Sequence, residues 1–149
     1  MNRIIVIVIF WLAAPLLAQQ AADEESRIRF RALDLFVDSG SSPLAAYQLE
    51  CFATNGVVSI TGIEGGEHPA FSPAPYYDPK AMQHERVIIA AFNTGAPDRL
   101  PAGKSRVATV HVAISGPGEP KFTVRLVTTA KSDGTIIPAI ATIQMRPPK

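Results

Sequence analysis

The sequence predicts an all-β fold, an antiparallel β-sandwich of seven to nine short strands. Segments in which apolar and polar residues alternate recur along most of the chain, as in half-buried strands. Turn clusters rich in glycine and proline separate these segments, and no amphipathic helix longer than one or two turns is recognisable. The 149 residues suffice for one domain with a substantial core.

The first 18 residues have the pattern of a secretory signal peptide. Arg3 is followed by fourteen almost wholly apolar residues, and Ala18 precedes Gln19 at a plausible cleavage point. The apolar run is shorter than the roughly 20 residues of a transmembrane helix, so we expect cleavage and no membrane span afterwards. The predicted location is outside the cell, in the periplasm or in the cell envelope.

Charge and cysteine content argue against two classes of function. Arg3 is the sole charged residue of the predicted signal peptide, so the 14 basic residues fall to 13 and equal the 13 acidic ones. A net charge of zero disfavours binding to nucleic acid or anionic membranes, because phosphate recognition needs a basic excess. Cys51 is the only cysteine, which excludes an intramolecular disulfide, and its apolar neighbours favour a buried, inert thiol.

The chain after the signal peptide divides into a leader, a domain and a tail. Residues 19–26 are polar and acidic, which indicates a flexible leader, and the predicted β-sandwich domain spans 27–145 before a tail at 146–149. In the first strand segment, Arg27–Asp38, the apolar phase changes at Ala32. That change predicts a β-bulge near Ala32, or two short strands.

The segment Leu44–Gly66 is interpreted as two strands joined by a turn. Apolar and polar residues alternate up to Cys51, and β-branched residues dominate between Val57 and Ile63. Asn55-Gly56 adopts positive φ at little cost, so the pattern predicts a tight hairpin. An isolated hairpin is only marginally stable in water, and we therefore expect this one to pack on further strands.

Gly65–Pro79 is a proline-rich segment that cannot be a central strand, because proline removes donors from a β-ladder. Phe71, Tyr76 and Tyr77 make it partly apolar, so we expect it to pack against the domain. One of the two adjacent tyrosines should contact the core and the other should face water. Asp78-Pro79 predicts a single helical turn directly after the loop.

The remaining strands are predicted at 86–92, 106–114, 122–130 and 135–145. The first of these, RVIIAAF, is apolar on both parities, which predicts a strand covered on both faces. Asp133-Gly134 predicts a turn before the last strand, in which Pro138 marks an edge or a bulge.

The order of these features resembles the cohesin family. The resemblance rests on the segments FVDSG, PLAAYQLEC, VVSITGIEGGE, RVIIAAFNTG and LPAGKSRVATVHVAI, and it extends from Phe30 to Ile143. Cohesins are secreted jelly-roll β-sandwiches related in fold to some carbohydrate-binding modules. The resemblance implies a jelly-roll domain that docks a protein partner, such as a dockerin-like module or an envelope component, through a sheet face or a loop edge.

The proline-rich loop is the predicted binding surface of this module. Its prolines stiffen the backbone, and Phe71, Tyr76 and Tyr77 offer apolar anchors near the polar residues Glu67 and His68. Apolar anchors surrounded by polar groups are typical of protein interfaces. We therefore expect these five residues to contact the partner.

Two alternative functions stay open. A carbohydrate-binding module would bind polysaccharide by stacking aromatic rings on sugars; the only tryptophan, Trp11, lies in the predicted signal peptide, but Tyr76 and Tyr77 could form a small platform. The turn at Asp38 resembles the catalytic turn of aspartic proteases, which need two aspartates close together and could obtain them in a homodimer. The favoured interpretation of Asp38 is backbone capping at the end of a strand.

Histidine and carboxylate residues give no metal signature. Glu64, Glu67 and His68 carry ligand atoms, but their pattern is more typical of a polar loop, and His84 and His111 have no supporting spacing. We expect no catalytic residue, no metal and no cofactor. The predicted function is that of a secreted, non-enzymatic binding module.

Overall fold

A computed structural model describes residues 27–147 of the protein. These residues form two four-stranded antiparallel sheets, which confirms the predicted β-sandwich. The predicted signal peptide at 1–18, the leader at 19–26 and the last two residues of the tail lie outside the described residues.

Eight strands build the two sheets. They are β1 (Ile28–Asp38), β2 (Ala46–Ala53), β3 (Val57–Gly65), β4 (Tyr76–Tyr77), β5 (Arg86–Phe92), β6 (Lys104–Ser115), β7 (Phe122–Ala130) and β8 (Ile140–Met145). Sheet A has the strand order β3-β6-β1-β8, and sheet B has the order β4-β5-β2-β7. Short 3-10 turns at Pro69–Phe71, Pro79–Ala81 and Pro97–Arg99 lie in the connections.

Strand pairing follows the pattern of a chain doubled back on itself. β1 pairs with β8, β2 with β7, β3 with β6 and β4 with β5, so the first half of the chain runs antiparallel to the second. Additional pairing of β1 with β6 and of β2 with β5 completes each sheet. Only β4 and β5 are consecutive strands of the same sheet, since every other connection crosses between the sheets.

The predicted hairpin between β2 and β3 is wrong, because these strands lie in opposite sheets. The chain does turn at Asn55-Gly56, where Gly56 has a φ of +78°. Oδ1 of Asn55 accepts a hydrogen bond from the Lys121 amide at 2.6 Å, and this contact ties the turn to the segment before β7. β2 and β3 each have an apolar face, and the crossing to the other sheet lets these two faces point into the same interior.

The predicted bulge near Ala32 is also wrong. β1 pairs continuously through Ala32, and the register shift lies next to Leu35, where β6 carries the extra residue Val107. The change of apolar phase arises because Ile28 and Phe30 lie on the outer face of sheet A, where both side chains are exposed. Two exposed apolar residues thus produced the same change of apolar phase that a bulge would produce.

The core lies between the sheets and receives side chains from both. Its largest fully buried members include Leu33, Leu35, Tyr47, Leu49, Ile60, Ile89 and Ile114. The proline-rich loop reaches the same core, because the Phe71 ring meets the Tyr47 ring edge to face with centroids 5.2 Å apart. The predicted packing of this loop against the domain is therefore confirmed.

Two further local predictions are confirmed. Cys51 is buried, and burial raises the pKa of its thiol to about 12, so the thiol is protonated and unreactive at neutral pH. The helical turn after Asp78 is present as the 3-10 turn Pro79–Ala81, and Oδ1 of Asp78 accepts a hydrogen bond from the Lys80 amide at 2.9 Å.

The last strand is shorter than predicted. Gly134 adopts the expected turn conformation, with a φ of +83°, but Ile136 makes only an isolated bridge with Ala130. The chain then leaves sheet B, buries Ile137 in the core and joins sheet A at Ile140. A segment that crosses between the sheets cannot continue the ladder of the sheet that it leaves. The predicted strand therefore begins only at Ile140 instead of Thr135.

Tyr47 provides a test of the core. Its hydroxyl donates a hydrogen bond to the carbonyl of Val107 at 3.0 Å, and both residues are buried. We expect Tyr47→Phe to lower the free energy of unfolding by about 1 kcal/mol, the typical contribution of one buried hydrogen bond. Equilibrium urea unfolding measures the change. Tyr76→Phe removes a hydroxyl from an exposed ring and should cost less than about 0.5 kcal/mol; equal losses in the two variants would contradict the expectation.

Candidate functional site

Of the three loop aromatics predicted to contact a partner, only Tyr76 is fully available on the surface. Phe71 is 2% exposed, and Tyr77 is half-buried against the core, so both hold the loop in place. Tyr76 and Tyr77 are neighbours in β4 and therefore point to opposite faces of sheet B. The prediction that one tyrosine contacts the core and the other faces water is confirmed. The prediction that Phe71 is a surface anchor is wrong, because its ring is buried in the core.

The polar residues of the loop bind backbone atoms. Oε1 of Glu67 accepts a hydrogen bond from a backbone amide of β6 at 3.0 Å, and Nδ1 of His68 accepts one from the Ala70 amide at 3.1 Å. Glu64 points elsewhere and contacts His111. No group of three or more His, Cys, Asp or Glu residues in the described part of the chain is arranged to hold a metal ion.

The outer face of sheet B carries an exposed aromatic pair. Tyr76 and Phe92 are 69% and 64% exposed, and their rings are stacked with centroids 6.0 Å apart and an interplanar angle of 10°. Ala90 lies opposite Tyr76 in the ladder, and Ile88 continues the same face of β5. We call the surface formed by Tyr76, Ile88, Ala90 and Phe92 the aromatic face.

The aromatic face contradicts the prediction that β5 is covered on both faces. Val87 and Ile89 are buried, but Ile88 and Phe92, on the opposite parity, are exposed. Arg86 lies on the same face of β5 as Ile88 and Phe92. Its charge is the sequence signal from which the exposure of this face could have been predicted. The apolar run RVIIAAF therefore combines one core-facing side with one apolar surface.

Glu50 lies next to the aromatic face and is bound by two arginines. Its Oε1 accepts a hydrogen bond from Arg86 and its Oε2 forms an ion pair with Arg125, while the carboxylate itself is buried. Desolvation favours a higher pKa for Glu50, but the hydrogen bonds from Arg86 and Arg125 outweigh it and hold the pKa below its usual range. Both guanidinium groups stay largely exposed and are fixed beside the apolar residues.

A concave surface, the sheet A cleft, lies on the outer face of sheet A and has a volume of about 650 Å³. Gly62, His111 and Ala32 lie side by side across β3, β6 and β1. Arg146 extends this row, because its amide donates a hydrogen bond to the Ala32 carbonyl at 2.9 Å. Phe30 also lines the cleft, and this residue is 69% exposed.

Asp34 binds two arginines on sheet A, as Glu50 does on sheet B. Arg146 donates two hydrogen bonds to Asp34, from Nε at 2.8 Å and from a terminal nitrogen at 2.7 Å. The Thr109 hydroxyl donates to Oδ1 of Asp34 at 2.7 Å, and Arg106 donates to that hydroxyl at 2.8 Å. Desolvation favours a higher pKa for Asp34, but the bonds from Arg146 and Thr109 outweigh it and lower the pKa. This network fixes Arg146 beside the cleft.

His111 and Glu64 add a second polar pair to the sheet A cleft. Nε2 of His111 lies 3.1 Å from Oε1 of Glu64, within ion-pair distance. The Nε2 atom is shielded from solvent and makes no hydrogen bond within residues 27–147. Glu64 is mostly exposed, so its carboxylate can exchange this contact for one with a ligand.

Asp38 makes the backbone contact that the sequence favoured. It lies exposed at the end of β1, and its Oδ1 accepts a hydrogen bond from the Gly40 amide at 3.0 Å. Gly40 has a φ of +59°, which glycine adopts without steric cost. The side chain of Asp38 thus caps the turn that leaves sheet A.

Comparisons with family models, with curated proteins and with solved structures found no match to this chain. The resemblance to cohesins therefore stays a prediction. Within residues 27–147, no helix combines the length and the apolar character needed to cross a membrane.

Glu50 provides a pH-dependent test. We expect Glu50→Gln to lower the free energy of unfolding at pH 7, with a difference from wild type that shrinks in acid. The folded-state pKa is depressed, so the stabilisation is complete above the unfolded-state value of about 4.3 and is lost as the pH falls through the lower folded-state pKa. Urea unfolding between neutral and acidic pH measures this difference.

The matched control is Glu85→Gln, at an exposed glutamate that forms no ion pair among the described residues. This variant removes no ion pair and should therefore lower the free energy of unfolding at pH 7 much less than Glu50→Gln does. A loss for Glu50→Gln that stays constant with pH would contradict a stabilising role of the ionised carboxylate.

Proposed function

We propose that this protein is a non-enzymatic binding module that docks a protein partner through the aromatic face of sheet B. The observation that carries this proposal is the exposed Tyr76–Phe92 pair, which lies on a regular sheet beside two fixed arginines. An apolar patch rimmed by polar groups is a common mark of an interaction surface in soluble proteins.

The residue types on the aromatic face suit a protein interface. Tyrosine, phenylalanine and arginine are enriched at interfaces, and a few such residues supply most of the binding energy. The rings of Tyr76 and Phe92 already contact each other, and β5 is held between β4 and β2. Little conformational entropy is therefore lost when a partner covers them.

The arginines indicate the chemistry of the partner. Arg86 and Arg125 share the single carboxylate of Glu50, so this group of three side chains has an excess of one positive charge. A guanidinium has five donors, and some remain available for a second acceptor. The best complementary surface therefore places apolar side chains on the rings and a carboxylate or carbonyl near the arginines.

The predicted signal peptide would export this protein, so the partner would be a protein of the extracellular space or the envelope. A dockerin-like module or an envelope component, both implied by the resemblance to cohesins, belongs to this class. The proposal differs from the sequence-based expectation in its location, since β5 supplies Ile88 and Phe92, and the loop supplies only Tyr76.

Site-specific photo-crosslinking tests the proposal. A benzophenone side chain at Phe92 should crosslink one protein of the native secretome or envelope, while the same group at Ile140 should not. Ile140 is a matched control because it is equally exposed but lies on sheet A. With the identified partner purified, Tyr76→Ala and Phe92→Ala should each weaken binding at least tenfold, or about 1.4 kcal/mol, and Ile140→Ala should leave it unchanged.

Three outcomes would overturn the proposal. Equal crosslinking from Phe92 and Ile140 would indicate non-specific contact. Crosslinks only to a second copy of this chain would assign the face to self-association. Unchanged affinity in both alanine variants would place the partner on another surface.

A further inference from the structure

We infer that the sheet A cleft is a second, independent binding site, and that it takes an uncharged sugar ring. The site combines an exposed aromatic ring, Phe30, with polar groups of both kinds around a floor of small residues. Its volume of about 650 Å³ falls in the range of small-ligand sites and accommodates one or two sugar units.

The floor of the cleft is low because two of its residues are small. Ala32 and Gly62 flank His111 in the register of sheet A, so the larger side chains Phe30 and Arg146 rise at its margins. A depression with an aromatic margin suits a pyranose, whose C–H face packs on a ring while its hydroxyls reach the neighbouring polar groups.

The charges at the cleft favour an uncharged ligand. Glu64 offers only acceptors, whereas Arg146 offers only donors. A sugar hydroxyl both donates and accepts, so a sugar can bond to either side chain. An anion would be repelled by the Glu64 carboxylate and a cation by the Arg146 guanidinium, so both pay an electrostatic penalty that a neutral sugar avoids.

Two polar groups of the cleft are already in position. Arg146 is held by its two hydrogen bonds to Asp34, so its orientation does not depend on a ligand. Nε2 of His111 has no hydrogen bond within the described chain and lies 3.1 Å from Oε1 of Glu64. A hydroxyl that displaces this carboxylate can bond to Nε2 in either tautomer of the imidazole, because it can donate or accept.

Titration of the protein with sugars, followed by amide and aromatic NMR resonances, tests the inference. The probes are the methyl glycosides of glucose, mannose and galactose, with glucuronate and glucosamine as charged analogues of glucose. At least one neutral glycoside should shift the resonances of Ala32, Gly62, His111 and Phe30 with saturation in the millimolar range. For a glucoside, the charged analogues should bind at least tenfold more weakly.

Variants localise the site. Phe30→Ala should weaken binding of the active glycoside at least tenfold, and it changes an exposed side chain, so NMR dispersion can verify an intact fold. Ile136→Ala, at an exposed residue outside the cleft, should leave binding unchanged.

The inference is overturned if no neutral glycoside gives saturable shifts, if a charged analogue binds more tightly than its neutral parent, or if the shifts fall on the aromatic face instead. The first two results leave capture of a protein by sheet B untouched, because the two sites lie on opposite outer faces of the sandwich.

Discussion

The apolar contact between the inner faces of the two sheets is the interaction on which the rest of the structure depends. Every strand turns an apolar side inward, and burying all of these inner sides together is the main source of folding free energy. The turn at Asn55-Gly56 illustrates the result, since it joins strands of opposite sheets. Because the inner faces provide the core, the residues on the outer faces are not constrained by core packing.

The two outer faces are built on one electrostatic plan. A central strand of each sheet supplies a carboxylate, Asp34 from β1 and Glu50 from β2, and arginines from both sides bind it. Glu50 thereby links β5, β2 and β7, while Asp34 links β6, β1 and the residue after β8. The surroundings differ: stacked rings adjoin Glu50, whereas a cleft of mixed polarity adjoins Asp34. This difference is why we propose a protein partner for sheet B and a sugar for sheet A.

Local sequence patterns predicted most of the strands, though not β4, and the burial of Cys51, but they did not predict the partners of each strand. Alternation defines which side of a strand is apolar and says nothing about which sheet takes it, so the predicted hairpin failed. An apolar run such as RVIIAAF has the same composition whether its second face is buried or exposed. Glu50 and Arg125 are far apart in the chain, and no local signal joins them.

The doubled-back pairing also determines when this polypeptide can assemble as it emerges from a ribosome or a translocation channel. β2 needs β5 and β7, and β1 needs β6 and β8, so sheet B is completed only by β7 and sheet A only by β8. Until those strands have emerged, β1 and β2 keep unpaired edges of the kind that attract other chains. The two strands made first therefore wait longest for their last partners.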